Sequence, residues 1–174
     1  MTDTPRRPLL FLDVDGPLIP FGGAPGHGSE SSPGSTPQAG SNPLLARLDP
    51  EHGPLLAALS CDLIWATTWM DEANHAVGPV LGLPTLPVVD WAERPDDRVD
   101  DWFGLHWKTR TLIEWAAGRS FIWIDDEIGD GDRQWVAAHH DGRALLHRVD
   151  PRIGLRRSDF AALAEWIDAS GAGH

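Results

Sequence analysis

Two aspartates directly follow the first apolar segment of the chain. The run Leu9–Leu12 leads into Asp13, Val14, Asp15 and Gly16. A short apolar run of this kind is typical of a buried parallel strand, so both carboxylates should lie just beyond the strand end. Two carboxylates two residues apart, with a glycine to turn the chain, are a weak signal of a functional site at such a strand end. A capped strand end with solvated acids has the same pattern, so this motif alone does not establish a site.

A second acidic cluster follows a later apolar run. Asp125, Asp126 and Glu127 come directly after the predicted strand 121–124. Adjacent carboxylates repel one another unless a cation or hydrogen bonds offset their charge. Carboxylate oxygens are ligands that Mg²⁺ accepts while it retains several waters. The cluster therefore predicts a magnesium site, with an acidic turn as the alternative.

Two weaker signals complete the set. Thr67 and Thr68 end the apolar run 63–66, and their hydroxyls can donate to a phosphate oxygen. Lys108 opens a predicted helix and can balance carboxylates or bind phosphate, although a lysine there is usually a solvated charge. Together the four signals occur in the order Asp-x-Asp, Thr, Lys, Asp-Asp, each at the predicted edge of a strand or helix.

Elements of alternating type position these residues. Short apolar strands alternating with helices predict an α/β fold, a parallel sheet with helices on both faces. Ligands of such sheets bind beyond the carboxyl ends of the strands. The predicted strands are 9–12, 63–66, 85–89, 121–124 and 144–149. The predicted helices are 44–59 in one or two pieces, 70–81, 108–117, 132–140 and 158–169, the last capped by Ser158.

The sequence resembles the haloacid dehalogenase (HAD) superfamily, whose four motifs come in this order on this framework. The strongest parts are Leu-Phe-Leu-Asp-Val-Asp-Gly and Trp-Ile-Asp-Asp, and the resemblance runs from about Leu9 to Asp132. It looks most similar to small domains related to Swiss army knife RNA repair proteins, through Trp-Ala-Thr-Thr-Trp at 65–69 and the segment 150–155. The resemblance implies a Rossmann-like three-layer α/β/α domain with a mainly parallel central sheet.

The resemblance also implies a role for each motif residue. Asp13 would attack phosphorus and form an aspartyl-phosphate, and Asp15 would protonate the leaving oxygen and later activate water. Thr67 would hold the transferring phosphoryl group, and Lys108 would stabilise its charge. The implied Mg²⁺ ligands are Asp13, the backbone carbonyl of Asp15, Asp125 and, directly or through water, Asp126.

Two neighbours of the first motif refine this expectation. A general acid at Asp15 matches the phosphatases of the superfamily rather than its dehalogenases or ion pumps. Pro17 stands where the family usually has Thr or Val, and it removes a backbone donor and stiffens the turn. Pro17 therefore puts the usual geometry of the flap after the first motif in question.

The intervals between motifs predict an open site in one domain covering residues 1–174. Segments 17–60 and 69–107 are too short for a large cap domain. The Gly/Pro/Ser-rich loop at about 20–43 either closes over the site as a lid or is disordered. An open site suits a phosphorylated small molecule covered by that loop, a phosphoprotein or a phosphorylated macromolecular end.

Composition narrows the partners. The net charge of −12 argues against non-specific binding of long nucleic acids. Cys61, the only cysteine, can form no internal disulfide and no cysteine-based zinc site. The apolar runs are far too short for a membrane span, and no signal-peptide pattern is present, so a cytoplasmic location is the default expectation. The oligomeric state has no sequence signal.

Histidines and tryptophans near the predicted site carry weaker expectations. No pair of histidines has the spacing of a zinc site, so four are expected to be surface or capping residues: His75, His106, His139 and His140. Four tryptophans could stack on a nucleobase or belong to the scaffold: Trp69, Trp91, Trp102 and Trp107.

Three functions remain open at this point. The first is a Mg²⁺-dependent phosphomonoester hydrolase, with a nucleotide or nucleic-acid end among its candidate substrates. The second is a phosphotransferase or mutase, which the lack of a large cap disfavours. The third is a catalytically weak HAD-like module that binds a phosphorylated ligand or protein partner, which would not need both Asp13 and Asp15.

Overall fold

A computed structural model describes residues 6–21, 43–91, 102 and 104–171. Most of the loop predicted at 20–43 lies outside the described residues, and so do residues 92–101 and 103. The lid prediction for that loop therefore stays a prediction.

Four parallel strands form one sheet in the order β2–β1–β3–β4. Their bounds are β1 Leu9–Leu12, β2 Asp62–Trp65, β3 Phe121–Asp125 and β4 Ala144–Arg148. The predicted mainly parallel sheet is confirmed. Every residue of β1 and β3 is buried, as expected for central strands covered on both faces.

Helices cover both faces of this sheet. The described α-helices are α1 His52–Ala57, α2 Gly78–Leu81, α3 Thr109–Ala116, α4 Asp130–His139 and α5 Arg157–Gly171. A 3₁₀ turn at Pro43–Arg47 precedes α1, and a π-helical stretch at Ala73–Val77 runs into α2.

The residues of β1 alternate between two hydrophobic clusters, because successive side chains of a strand point to opposite faces. Leu10 and Leu12 pack in a cluster with residues of α1 and α5, while Leu9 and Phe11 pack in one with residues of α3 and α4. The predicted three-layer α/β/α arrangement is thereby confirmed. No cap domain is present among the residues that the structure describes.

Proline and local backbone geometry account for two departures from the predicted elements. The strand expected at 85–89 is a single bridge between Trp65 and Val88, since Pro84 and Pro87 have no N–H to donate to a ladder. The helix expected from Met70 begins only at Ala73, after Met70 adopts a positive φ of 53°.

The predicted cap of the last helix is wrong. Helix α5 begins at Arg157, so Ser158 lies inside its first turn. The capping acceptor is Asp159, whose Oδ2 atom accepts a hydrogen bond from the backbone N–H of Arg156 at 2.6 Å. Both side chains are good cap acceptors, so the sequence pattern does not distinguish them.

The sheet topology brings the predicted chemical groups together. Because β1 lies between β2 and β3, Leu12 is the register partner of both Trp65 and Ile124. Residues that follow these three strands therefore share one edge of the sheet, the edge at which parallel sheets bind ligands.

Candidate active site

A buried ion-pair triad lies at the carboxyl edge of the sheet. The Lys108 Nζ atom is 2.8 Å from Asp125 Oδ2 and 3.2 Å from Asp13 Oδ1. All three side chains are buried. Asp13 follows β1 and Asp125 ends the neighbouring β3, while Lys108 occupies the position before the first residue of α3. Three residues far apart in sequence thus form one charged cluster.

One ammonium group serves two buried carboxylates, and the pKa values reflect this excess of negative charge. Burial raises the pKa of Asp13 to about 7, against the opposing charge of Lys108, and the charge of Asp125 adds to the rise. Burial likewise acts to raise the pKa of Asp125, but Lys108 overcomes it and holds that pKa below its usual value. For Lys108, burial opposes the charged form, yet the two carboxylates raise its pKa. Lys108 is therefore fully charged, and its stronger partner is Asp125.

Asp126 extends this cluster toward solvent. Burial, together with a hydrogen bond and repulsion from Asp125, raises the pKa of Asp126 to about 6. One carboxylate oxygen from each of Asp13, Asp125 and Asp126 lies within 4.8 Å of the others. Such an all-oxygen donor set with surplus negative charge suits a hard divalent cation. The residues present therefore fit the Mg²⁺ that the sequence predicts.

A second group of ligand-type side chains shares Asp125. It consists of His106, Asp125 and Glu127. The His106 Nε2 atom is 2.8 Å from Glu127 Oε2, so a direct hydrogen bond joins two of the three side chains. The oxygen-only group is the better match to magnesium chemistry.

Asp15 and Thr67 are linked to each other through Trp69. The indole N–H of Trp69 donates to Asp15 Oδ2 at 3.1 Å, and its backbone N–H donates to Thr67 Oγ1 at 3.2 Å. Thr67 itself is fully buried, and its carbonyl accepts a hydrogen bond from the Trp91 indole at 3.0 Å. Trp69 and Trp91 therefore contact the backbone or side chains of predicted site residues.

A small cavity of about 130 Å³ opens beside these groups. Its lining comprises Asp13, Asp15, Phe21, Thr68, His106, Trp107, Lys108, Asp126 and Glu127. One water molecule occupies about 30 Å³ in the liquid, so the cavity has room for a group the size of a phosphoryl. The structure thus brings four predicted site residues to a cavity wall, with Asp125 and Thr67 buried next to it and Thr68 as the lining hydroxyl.

A larger cavity, of about 490 Å³, lies at the opposite ends of the strands. Its lining is mainly apolar and includes Leu9, Ile64 and Trp115, with none of the predicted site residues. Size alone would favour it as a ligand site, but catalysis requires the charged groups that surround the smaller cavity.

The turn after Asp15 forms without a backbone N–H at Pro17. Its hydrogen bonds use other donors: Gly16 N–H to the Ile19 carbonyl at 3.0 Å and Leu18 N–H to the Val14 carbonyl at 3.1 Å. Gly16 has a φ of +101°, and a Cβ there would come within 2.7 Å of the Asp126 side chain. The turn therefore requires glycine at position 16 and tolerates proline at position 17.

Two further hydrogen bonds anchor residues 15–21, which we call the flap. The Pro17 carbonyl accepts a hydrogen bond from Leu155 N–H at 2.8 Å, and Phe21 N–H donates to the Pro151 carbonyl at 2.7 Å. The flap that carries Asp15 is thus attached at two points to the connection between β4 and α5.

Asp132, which the sequence pattern marks only as the start of a predicted helix, supports the site through three hydrogen bonds. Its Oδ1 atom accepts from His106 N–H at 2.7 Å and from the Thr109 hydroxyl at 2.6 Å, and its Oδ2 atom accepts from Gly129 N–H at 2.8 Å. The side chain is 1% exposed. Asp132 therefore connects the segment around Lys108 to the loop that follows the acidic cluster.

Two of the four histidines, His106 and His140, are not surface residues, but both lie at helix ends as the capping alternative predicts. The His106 side chain is 8% exposed, and its Nδ1 atom accepts a hydrogen bond from Lys108 N–H, so it does act as a local cap. His140 is buried against the Arg119 carbonyl, whereas His75 and His139 are exposed as expected. The missed signal at His106 is its position two residues before Lys108, which places it at the site.

A Rossmann-like sheet with paired aspartates after one strand, a buried lysine and a second aspartate pair defines a HAD-type domain. A family model for the HAD domain in Swiss Army Knife RNA repair proteins matches residues 9–160. The chain belongs to this family, as the sequence resemblance indicated. No curated protein and no solved structure matches the chain.

Membership of this family implies chemistry of the phosphohydrolase type. HAD domains typically use Mg²⁺, in agreement with the oxygen-rich cluster around Asp13. Within the described ranges, no helix combines the length and the apolar composition that crossing a bilayer requires.

Proposed function

We propose that this protein is a Mg²⁺-dependent phosphomonoester hydrolase that acts through an aspartyl-phosphate at Asp13. The observation that carries the proposal is the cluster of Asp13, Lys108, Asp125 and Asp126 at the wall of a phosphoryl-sized cavity. Such a cluster is costly to bury without a functional return, because two buried carboxylates outnumber their ammonium partner.

The first half of the reaction forms the covalent intermediate. A carboxylate oxygen of Asp13 attacks phosphorus, the bond from phosphorus to the leaving oxygen breaks, and Asp15 transfers its proton to that oxygen. The buried Lys108 ammonium, 3.2 Å from Asp13 Oδ1, holds the nucleophile and stabilises charge on the transferring group. Thr68, whose side chain lines the cavity, is placed to donate its hydroxyl to the phosphoryl oxygens, while the fully buried Thr67, which the resemblance gave that role, lies behind it and accepts the Trp69 N–H.

The second half restores the enzyme. Asp15 now accepts a proton from water, the water oxygen attacks phosphorus, and the bond to Asp13 breaks to release inorganic phosphate. Mg²⁺, held by Asp13, the Asp15 carbonyl, Asp125 and Asp126, would orient the phosphoryl group and offset charge between the anionic partners.

A phosphorylated small molecule or a phosphorylated macromolecular end is the proposed substrate class, including nucleotides and nucleic-acid ends. Two aromatic side chains line the cavity, Phe21 and Trp107, and Phe21 is 54% exposed. Exposed aromatic surface beside a phosphoryl site is suited to a planar leaving group. The net charge of −12 favours a short end over a long nucleic acid.

The test is release of phosphate from p-nitrophenyl phosphate and a nucleotide panel, with Mg²⁺ and then with EDTA. Wild type should turn over only with the metal, and Asp13→Asn should be inactive. Asp130→Asn is the matched control, because it removes an exposed acid from the start of α4 without touching the cluster. Folded wild-type protein that releases no phosphate, or an Asp13→Asn variant as active as Asp130→Asn, would refute the proposal.

Asp15→Asn separates an enzyme from a binding module. In a hydrolase it should abolish turnover while a phosphorylated ligand still binds, since the general acid contributes to the chemical step. In a module that only binds, wild type and Asp15→Asn should release phosphate at the same background rate and bind the ligand equally well by calorimetry, so the difference in turnover separates the two functions.

A further inference from the structure

An indole from a distant segment holds the general acid of the proposed reaction. Trp69 Nε1 donates to Asp15 Oδ2 at 3.1 Å, within the normal range of a hydrogen bond. The two residues are 54 positions apart in sequence. Trp69 is itself fixed, because its backbone N–H donates to Thr67 Oγ1 and its ring packs against the hydrophobic core.

The chemistry of this donor restricts the carboxyl group. An indole N–H donates and cannot accept a hydrogen bond. In a neutral carboxylic acid the carbonyl oxygen is the stronger acceptor, so a bond from Trp69 to Oδ2 favours the proton on Oδ1. Asp15 lines the cavity in which the leaving group must sit. The indole therefore decides which oxygen carries the proton and how that oxygen is aimed.

The geometry points to Trp69 as a positioning residue for proton transfer by Asp15, an inference that rests on the proposed hydrolase function. As the phosphorus–oxygen bond breaks, the proton on Asp15 Oδ1 moves to the leaving oxygen. In the second half-reaction Oδ1 accepts a proton from the attacking water. Throughout, the Trp69 N–H stays on Oδ2 and keeps the carboxyl plane from rotating.

This role predicts a dependence on the leaving group. General acid catalysis contributes about 10²–10⁴-fold to a rate, and more when the leaving oxygen is strongly basic. Asp15 becomes charged as its proton leaves, so the bond from Trp69 strengthens in the transition state; a hydrogen bond to a charged group is worth about 1.5–3 kcal/mol, and its loss roughly tenfold to a hundredfold in rate. Trp69→Phe should therefore reduce kcat/KM by about tenfold or more for an alkyl phosphate, whose leaving oxygen needs the proton. For p-nitrophenyl phosphate, whose leaving group needs little help, the loss should be several-fold smaller.

A matched indole elsewhere at the site provides the control. Trp91 donates its N–H to the Thr67 carbonyl rather than to a carboxylate. Trp91→Phe removes an indole donor of the same kind, so any loss of kcat/KM should be equal for glycerol 2-phosphate and p-nitrophenyl phosphate. Since kcat/KM reports the first irreversible step, later hydrolysis of the intermediate does not obscure the comparison.

The experiment measures both substrates with Mg²⁺ for wild type, Trp69→Phe and Trp91→Phe. A selective loss on glycerol 2-phosphate in Trp69→Phe alone supports the inference. An equal loss on both substrates would overturn it and leave Trp69 with a structural role only. Wild type inactive on every substrate would instead refute the proposed function, and the role of Trp69 with it.

A spectroscopic measurement tests the contact without relying on activity or on the stability of Trp69→Phe. The Nε1 proton resonance of Trp69, assigned through its couplings in isotope-labelled wild type, should move upfield in Asp15→Ala as the hydrogen bond is lost. The Nε1 proton of Trp91 should not move. A Trp69 resonance that is unchanged in Asp15→Ala would overturn the inference whatever the kinetics show.

Discussion

Replacing Asp132 with asparagine should destabilise the protein strongly, although the change is nearly isosteric. The Asp132 carboxylate is 1% exposed and accepts three hydrogen bonds, from His106 N–H, the Thr109 hydroxyl and Gly129 N–H. An asparagine offers only one acceptor oxygen. If that oxygen accepts from His106 N–H and the Thr109 hydroxyl, the amide nitrogen faces Gly129 N–H, and two donors then oppose each other. In the flipped orientation the amide nitrogen faces the His106 and Thr109 donors instead.

The free-energy cost follows from these contacts. A hydrogen bond to a charged group contributes about 1.5–3 kcal/mol, and a buried donor without a partner costs about 1–3 kcal/mol. Relief from burying a charge offsets part of this loss. We expect Asp132→Asn to lose about 3 kcal/mol of unfolding free energy, or roughly 6–12 °C in Tm for a chain of this size.

Urea and thermal unfolding followed by circular dichroism would measure the effect. Asp130→Asn is the matched control, because Asp130 lies in the same helical turn but is exposed, and its interaction with the helix dipole is worth about 0.3–1 kcal/mol. Equal losses in the two variants would show that the three bonds to Asp132 contribute nothing, and the reasoning about its position would fail.

Two further predictions concern the acidic cluster. Mg²⁺ at a hundredfold excess over its Kd should raise the unfolding free energy of wild type by about 2.7 kcal/mol. At the same Mg²⁺ concentration, Asp126→Asn should be stabilised less, which a thermal-shift assay would measure. An equal shift in both proteins would exclude Asp126 as a ligand. Without Mg²⁺, the pKa of Asp13 is raised to about 7 in the folded protein, against 3.8 in the unfolded chain. The folded state therefore holds the Asp13 proton more tightly, which adds to the unfolding free energy below pH 4, and this contribution is lost as pH rises through 7. Asp13→Asn should therefore be more stable than wild type at pH 8 and less dependent on pH between 5 and 8, and urea midpoints that fall in parallel for the two proteins would contradict this.

The strands that position the site could be predicted from the sequence because their signal is local. Residues 9–12 and 121–124 are continuous apolar runs, and each leads directly into a predicted pair of acids. Parallel pairing then places those acids at one edge without further information. No local pattern predicts the ion pairs from Lys108 to Asp13 and Asp125. The resemblance to the HAD superfamily is what places Lys108 at the site.

The supporting contacts could not be predicted because each joins residues distant in sequence. Trp69 reaches Asp15 across 54 positions, and Asp132 reaches His106 across 26. No periodicity or spacing encodes such a contact, since it depends on how two loops pack after the sheet has formed. At residues 85–89 the local pattern predicted a strand that the structure does not form. Proline has no backbone N–H to donate to a ladder, and only a single bridge is present there.

The two hydrogen bonds between the flap and the connection after β4 have a consequence for how the chain can be divided. A fragment ending after Arg148 would retain all four strands together with Asp13, Lys108 and Asp125. It would lack the Pro151 carbonyl and the Leu155 N–H, which fix the backbone on either side of Pro20. Minimal-domain design and circular permutation should therefore keep residues 149–155 joined to β4, because this short segment near the C-terminus is the scaffold of the N-terminal turn that carries Asp15.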